Sequence, residues 1–259
     1  MSSASTKRSN RRPVIAGNWK MNGLRADGVA RARELVVHLA EAGEIACDVV
    51  LCPPATILAA VYGAIRGTPI ALGGQDCHPE DCGAHTGDIG APMLADIGCR
   101  YVIVGHSERR AAHGETDAVV KAKAVAAQRA GLTVIVCVGE SEAERESGKA
   151  LATVEAQLAG SLPDAIAPTD TIVAYEPIWA IGSGRTPKES QIREVHGRIR
   201  KHLRARAGRR GGQVRILYGG SVKPDNAAAI LALADVDGAL VGGASLDADA
   251  FWSICLATP

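Results

Sequence analysis

Aromatic side chains are scarce in this chain: its 259 residues include one Phe, three Trp and four Tyr. Proteins that hold single-stranded nucleic acid stack bases on such rings, so that class is poorly supplied here. The one basic stretch, Arg198 to Arg210, has no interleaved Phe, Trp or Tyr and reads as a solvated outer helix. Net charge is nearly absent as well. Lys and Arg total 29 against 28 Asp and Glu, giving +1, which provides no overall field for nucleic acid or an anionic membrane surface. No apolar run approaches the roughly 20 residues that cross a bilayer, and Met1 to Arg12 lacks the apolar centre of a secretory signal. Cys-x-x-Cys pairs are also missing. Seven cysteines, an odd number in a chain large enough to need no staples, read as reduced thiols in a cytoplasmic protein.

What remains is an apolar chain, 47% hydrophobic, able to bury a large core. Residues 1–12 are polar and basic and read as a disordered extension. After them come eight short apolar runs: Val14 to Ala16, Cys47 to Cys52, Ile70 to Leu72, Tyr101 to Val104, Thr133 to Val138, Ile172 to Tyr175, Val214 to Tyr218 and Ala239 to Val241. They lack the polar alternation of a sheet wetted on one face, so they predict parallel strands covered by helices. Helical spacing lies between them, as in Ala32, Leu35, Val36 and Leu39, and again in Ala227, Ile230, Leu231 and Ala234 after Pro224. Gly131 reads as a helix stop. Eight strands alternating with helices over about 250 residues predict one (β/α)8 barrel, residues 13–259. Reacting groups in that architecture gather where strands end.

The first strand runs into Asn18 and Lys20, an amide and an ammonium at the barrel mouth. The fourth runs into His106, followed by residues able to begin a helix. Backbone N–H groups there oppose a charged ring, so His106 is expected to stay neutral and donate to a carbonyl. The sixth ends in Tyr175-Glu176-Pro177, a lone carboxylate closing an apolar strand. Glu176 reads either as a helix-capping residue or as a general base whose pKa burial raises. Beyond it, Pro177, Trp179, Gly182 and Gly184 suit a lid. The seventh and eighth strands lead to Gly219-Gly220-Ser221 and Gly242-Gly243, bare amides placed where this barrel binds phosphate.

Five segments taken together, Gly17 to Asn22, Gly105 to Arg110, Tyr175 to Gly182, Tyr218 to Ser221 and Leu240 to Leu246, resemble the triosephosphate isomerase family from Pro13 to about Phe251. The resemblance implies interconversion of dihydroxyacetone phosphate and glyceraldehyde 3-phosphate through an enediolate, in glycolysis and gluconeogenesis, with no metal and no organic cofactor. Glu176 would be the base, His106 the neutral electrophile with Asn18 assisting, and Lys20 the cation on the substrate. This division of acid and base roles is the established one for that family and comes with the resemblance, not from the spacing of the residues. Glu108 would position Lys20, and Gly182, Ser221, Gly242 and Gly243 would bind the phosphate. Loop 75–88 resembles the arm by which the family forms homodimers, with Thr86 reaching the partner's Asn18 region and His85 where an aromatic residue is common. The chain departs from well-known relatives at Pro187, where an N–H meets the hydroxyl of the residue equivalent to Tyr218. Proline has none to give, so lid closure is expected to lean on Ser221 and Gly184.

Other readings fit less well. Gly182-Ser183-Gly184 is a poor dinucleotide fingerprint, since its third glycine would fall at Pro187. Lys20 as a Schiff-base lysine implies an aldolase. Cys77, His78, Cys82 and His85 offer loosely spaced metal ligands, which the dimer arm explains without a metal. An isomerase of a four-carbon ketose phosphate and a catalytically silent phosphate binder are the remaining alternatives.

Overall fold

The computed structural model describes residues 11–181 and 185–259. Eight parallel strands close into a barrel in chain order: β1 (Val14–Asn18), β2 (Asp48–Cys52), β3 (Ala71–Gly74), β4 (Cys99–Val104), β5 (Thr133–Val138), β6 (Thr171–Tyr175), β7 (Arg215–Tyr218) and β8 (Gly238–Val241), with β8 pairing back onto β1. All eight expected runs are strands, displaced by a residue or two at their ends. The helices outside them are α1 (Arg25–Ala42), α2 (Leu58–Ile65), α3 (Ala91–Ile97), α4 (Ser107–His113) and α5 (Asp117–Arg129), then α6 (Glu142–Glu146), α7 (Ala150–Ser161), α8 (Glu189–Gly211), α9 (Pro224–Leu231) and α10 (Ala248–Leu256).

Successive strand residues face opposite ways, and both ways are buried. Val14, Ala16, Val50, Ile103, Ile135, Ile172 and Leu217 fill the barrel, while Ile15, Val49, Leu51, Val102, Val134 and Val173 pack outward against the helices. This is why the runs show no polar alternation. In α1, Ala32, Leu35 and Leu39 are buried and Val36 packs beside them, as the spacing requires. Gly131 follows the end of α5 with φ +79°, a left-handed stop.

Two expectations need correction. The helix begun by Pro224 ends at Leu231, and Ala234 lies beyond it and exposed; Leu233 and Val236 are the buried residues of that turn. The basic stretch does lie on outer helix α8, but Arg200 is 2% exposed, held by Asp235 at 2.9 Å and Asp237 at 2.6 Å. Arg11 shares Asp237 at 2.7 Å, and Arg12 bonds Asp48 at 2.8 Å, so these last two residues of the expected extension are tied to the barrel floor. Residues 1–10 lie outside the described residues.

Candidate active site

Strand register carries the expected side chains to one end of the barrel. Asn18, Lys20, His106, Glu176, Ser221, Gly242 and Gly243 line a cleft of about 640 Å3 at the C-terminal ends of the strands. Gly182 lies outside the described residues.

Lys20 has φ +52°, a left-handed conformation that costs a non-glycine residue on the order of 1 kcal/mol. The bend is held from both sides. The Lys20 N–H donates to Asn18 Oδ1 at 3.0 Å, and Gln75 Nε2 donates to the carbonyls of Lys20 and Cys52 at 2.9 and 2.8 Å. Asn18 therefore has its amide N–H2 left for a ligand. The bend directs the Lys20 ammonium to Glu108, 2.5 Å away.

His106 precedes α4 and caps it, its Nδ1 accepting the Glu108 N–H at 3.2 Å. Across the cleft, its Nε2 lies 2.8 Å from Glu176 Oε1, while Glu176 Oε2 accepts the Ser107 N–H at 3.0 Å. Glu176 is 2% exposed. Burial raises its pKa, but His106 by charge and hydrogen bond, the Ser107 N–H and Lys20 outweigh burial and hold it below the usual carboxylate range. This reverses the direction read from the sequence, where only burial was visible. Burial lowers the His106 pKa and Lys20 opposes its charge, but Glu176, by charge and hydrogen bond, and Glu108 outweigh them and hold the ring above the ordinary imidazole value, against the neutral ring expected from the helix start alone. Because Nδ1 accepts the Glu108 N–H, Nε2 is the ring nitrogen that carries the proton aimed at the carboxylate.

Beside the cleft lies a hydrogen-bond hub that the sequence did not reveal. Glu140, fully buried after β5, accepts through Oε1 from Arg145 at 2.6 Å, Tyr175 Oη at 3.1 Å and Trp179 Nε1 at 2.9 Å. Further along the chain, Arg185 pairs with Glu142 and donates to the Trp179 carbonyl at 3.0 Å. The available signal was the same as for Glu176: a carboxylate standing just past the end of an apolar strand.

Tyr218 is buried, and its hydroxyl has no partner among the described residues. Thr86 stands exposed on its loop, away from the residues lining the cleft. The four metal-ligand candidates do not assemble. Cys77 is buried with its sulfur toward the Lys123 carbonyl, and the ligand atoms that approach within 4.8 Å of one another belong to His78, His85 and Asp88. His78 Nδ1 accepts the Glu80 N–H at 3.1 Å.

Fold and site together define a (β/α)8-barrel enzyme with a facing carboxylate and imidazole and a mouth built for a small anion. Comparison with known proteins gives the family. The triosephosphate isomerase family model matches residues 13–258. The triosephosphate isomerase of Afipia carboxidovorans is 56% identical over 96% of this chain and 98% of its own, and that of Xanthobacter flavus is 55% identical over the same shares. A crystal structure of triosephosphate isomerase from Bartonella henselae, 45% identical, superposes with a TM-score of 0.88 over 95% of this chain and 98% of that one. The chain belongs to the triosephosphate isomerase family.

Proposed function

We infer that the chain interconverts dihydroxyacetone phosphate and D-glyceraldehyde 3-phosphate by moving one proton between adjacent carbons through an enediolate. The observation that carries this reading is the 2.8 Å contact between His106 Nε2 and Glu176 Oε1 inside a cleft that Lys20 makes positive. A substrate carbonyl entering between them takes over the Nε2 proton as its hydrogen-bond donor and frees Glu176 to reach the neighbouring C–H.

Each step then has a group. Glu176, kept ionised, removes the proton from one carbon and returns it to the other. His106 Nε2 and the Asn18 amide donate to the oxygens on which negative charge grows, and the Lys20 ammonium, steadied by Glu108, stabilises that charge. Ser221 and the amides of Gly242 and Gly243, with Gly182 of the lid, hold the phosphate. Binding energy from this remote group closes the lid and excludes water from the enediolate.

The catalytic unit is the barrel, 13–259, working in the cytoplasm in glycolysis and gluconeogenesis, its seven cysteines free thiols. It pairs as a homodimer through loop 75–88, whose exposed Cys82, Thr86 and Asp88 are free to meet a second copy. No helix among the described residues is long and apolar enough to cross a membrane.

The test is turnover of glyceraldehyde 3-phosphate against a four-carbon ketose phosphate, with Glu176→Gln as control. Preference for the triose and loss of at least about 10²-fold in the control are expected. Equal rates in wild type and control would overturn the mechanism.

A further inference from the structure

At the opposite end of the barrel from the cleft, a cavity of about 300 Å3 is lined by Arg12, Glu44, Ile45, Cys47, Asp48 and Pro69. Cys47 immediately precedes β2, and its sulfur lies 3.7 Å from the carbonyl of Cys255 in the last turn of α10. Both residues are buried, at 2% and 0% exposure, so the cavity is the approach to this sulfur.

We propose that Cys47 and Cys255 are a thiol–disulfide redox pair, in which Cys47 meets a low-molecular-weight disulfide in the cavity and Cys255 resolves it. The cavity opens onto the first thiol; Arg12, paired with Asp48, and Glu44 bound it, and the second thiol is near enough to hydrogen-bond the first.

The remaining buried cysteines differ. Burial pushes Cys77 and Cys99 up to about 12 and raises Cys52 and Cys137 too. Cys47 alone among the buried thiols is lowered, because hydrogen bonding to the Cys255 thiol, aided by Thr258 and the Arg12 charge, outweighs burial and Asp48. Cys255 is raised by burial and by Cys47, so it keeps its proton until the first exchange has removed the Cys47 charge.

The exchange is balanced. The Cys47 thiolate attacks one sulfur of the small disulfide, the S–S bond breaks, and one small thiolate leaves and takes up a proton. Cys255 then gives up its proton, its sulfur attacks Cys47 Sγ, and the second small thiol departs. Two protein thiols are oxidised by two electrons, and one small disulfide is reduced to two thiols. The new bond fastens the last turn of α10 to the start of β2 across 208 sequence positions. It removes freedom mainly from the unfolded chain and leaves the catalytic end of the barrel as it was.

The experiment treats the full-length protein with oxidised glutathione and maps peptides without reduction. A cysteine-containing peptide added to the same sample serves as the internal standard for reagent activity. Expected are a linked Cys47–Cys255 peptide, little change in kcat, and thermal inactivation shifted upward by roughly 5–10 °C, all reversed by dithiothreitol. Cys255→Ser should stop at glutathione-capped Cys47. An unmodified Cys47 in a sample whose added peptide has reacted would overturn the proposal, as would wild type that halts at the mixed disulfide. Should the variant fail to fold, native alkylation of wild type decides: Cys47 must react before Cys52, Cys77 and Cys99, and simultaneous labelling on unfolding refutes the pair.

Discussion

Gly139 leaves room for the backbone of Glu176: a Cβ placed on Gly139 would stand 1.7 Å from the Glu176 carbonyl oxygen. The two segments are also bonded, Glu176 N–H donating to the Val138 carbonyl at 2.8 Å, and Gln157 clamps Gly139 through both its N–H and its C=O, at 2.7 and 2.9 Å. The end of β5 is thus the surface against which the base is placed. Gly139→Ala forces Glu176 to move by more than a flexible side chain can absorb. Since misplacement by about 1 Å costs on the order of 10²-fold, kcat should fall by about that factor while the barrel still folds. Gln157→Ala, which loosens the clamp without a clash, should give a smaller loss. Full activity in Gly139→Ala by steady-state assay would show that this contact does not place the base.

The ionisation of Glu176 gives a second expectation. Its pKa in the folded protein lies below the ordinary 4.5, so the contacts to His106, Ser107 and Lys20 favour folding above the ordinary carboxylate range and lose that contribution as pH falls through the lowered value. In protein carrying 13C-labelled glutamate carboxyls, the signal absent from Glu176→Gln should titrate below 4.5. His106→Gln removes the ring's charge while burial remains, so the same signal should titrate higher. A midpoint unmoved by His106→Gln would rule out His106 as the group holding the carboxylate ionised.

Much of this was legible in the sequence because it is local. Each strand run alternates between two apolar environments, so Val14, Ile15 and Ala16 announce a covered strand without any partner in view. Glu176, His106 and Lys20 could be placed for the same reason, since strand ends are where this barrel gathers chemistry. What stayed hidden depends on meetings across the barrel. The pKa direction of Glu176 is set by His106, from a different strand end, and a single segment shows only the burial that acts the other way. Arg200 looks solvated within its basic helix because Asp235 and Asp237 lie on the far side of β7. Glu140 becomes a hub only when β6 and the lid bring Tyr175 and Trp179 to it.

A third expectation concerns the buried cluster at the root of loop 75–88. Lys123, 7% exposed, reaches Asp76 at 2.7 Å and Glu115 at 2.6 Å, and Arg109 bridges the same two carboxylates at 2.9 and 2.7 Å. Lys123→Met leaves both carboxylates with Arg109 alone. Removing one member of a buried ion network costs about 3–5 kcal/mol, so the thermal midpoint should drop on the order of 10 °C. Adding Glu115→Gln removes the stranded charge and should restore part of the loss. Because Asp76 begins the proposed dimer arm, sedimentation should also show weaker self-association. Stability within about 0.5 kcal/mol of wild type would mean that the cluster is not coupled to the fold.

The lid supplies the last expectation. Tyr218 Oη is buried without a partner among the described residues, and it fits only because position 220 is glycine, where a Cβ would come within 2.1 Å of that oxygen. Pro187, buried on the far side of the lid, has no N–H to offer it. Ser221, by contrast, lines the cleft, its carbonyl held by Asn226 Nδ2 at 3.1 Å. Tyr218→Phe removes a hydroxyl whose desolvation is unrepaid, so stability should hold or rise by about 1 kcal/mol and kcat/KM should change by less than about fivefold. Ser221→Ala should lose more, about tenfold or beyond, if its hydroxyl meets the lid and the phosphate as proposed. Paired kinetics of the two variants decide the matter. A larger loss in Tyr218→Phe would mean that the tyrosine hydroxyl finds a lid partner despite Pro187, and that closure in this chain does not depend chiefly on Ser221.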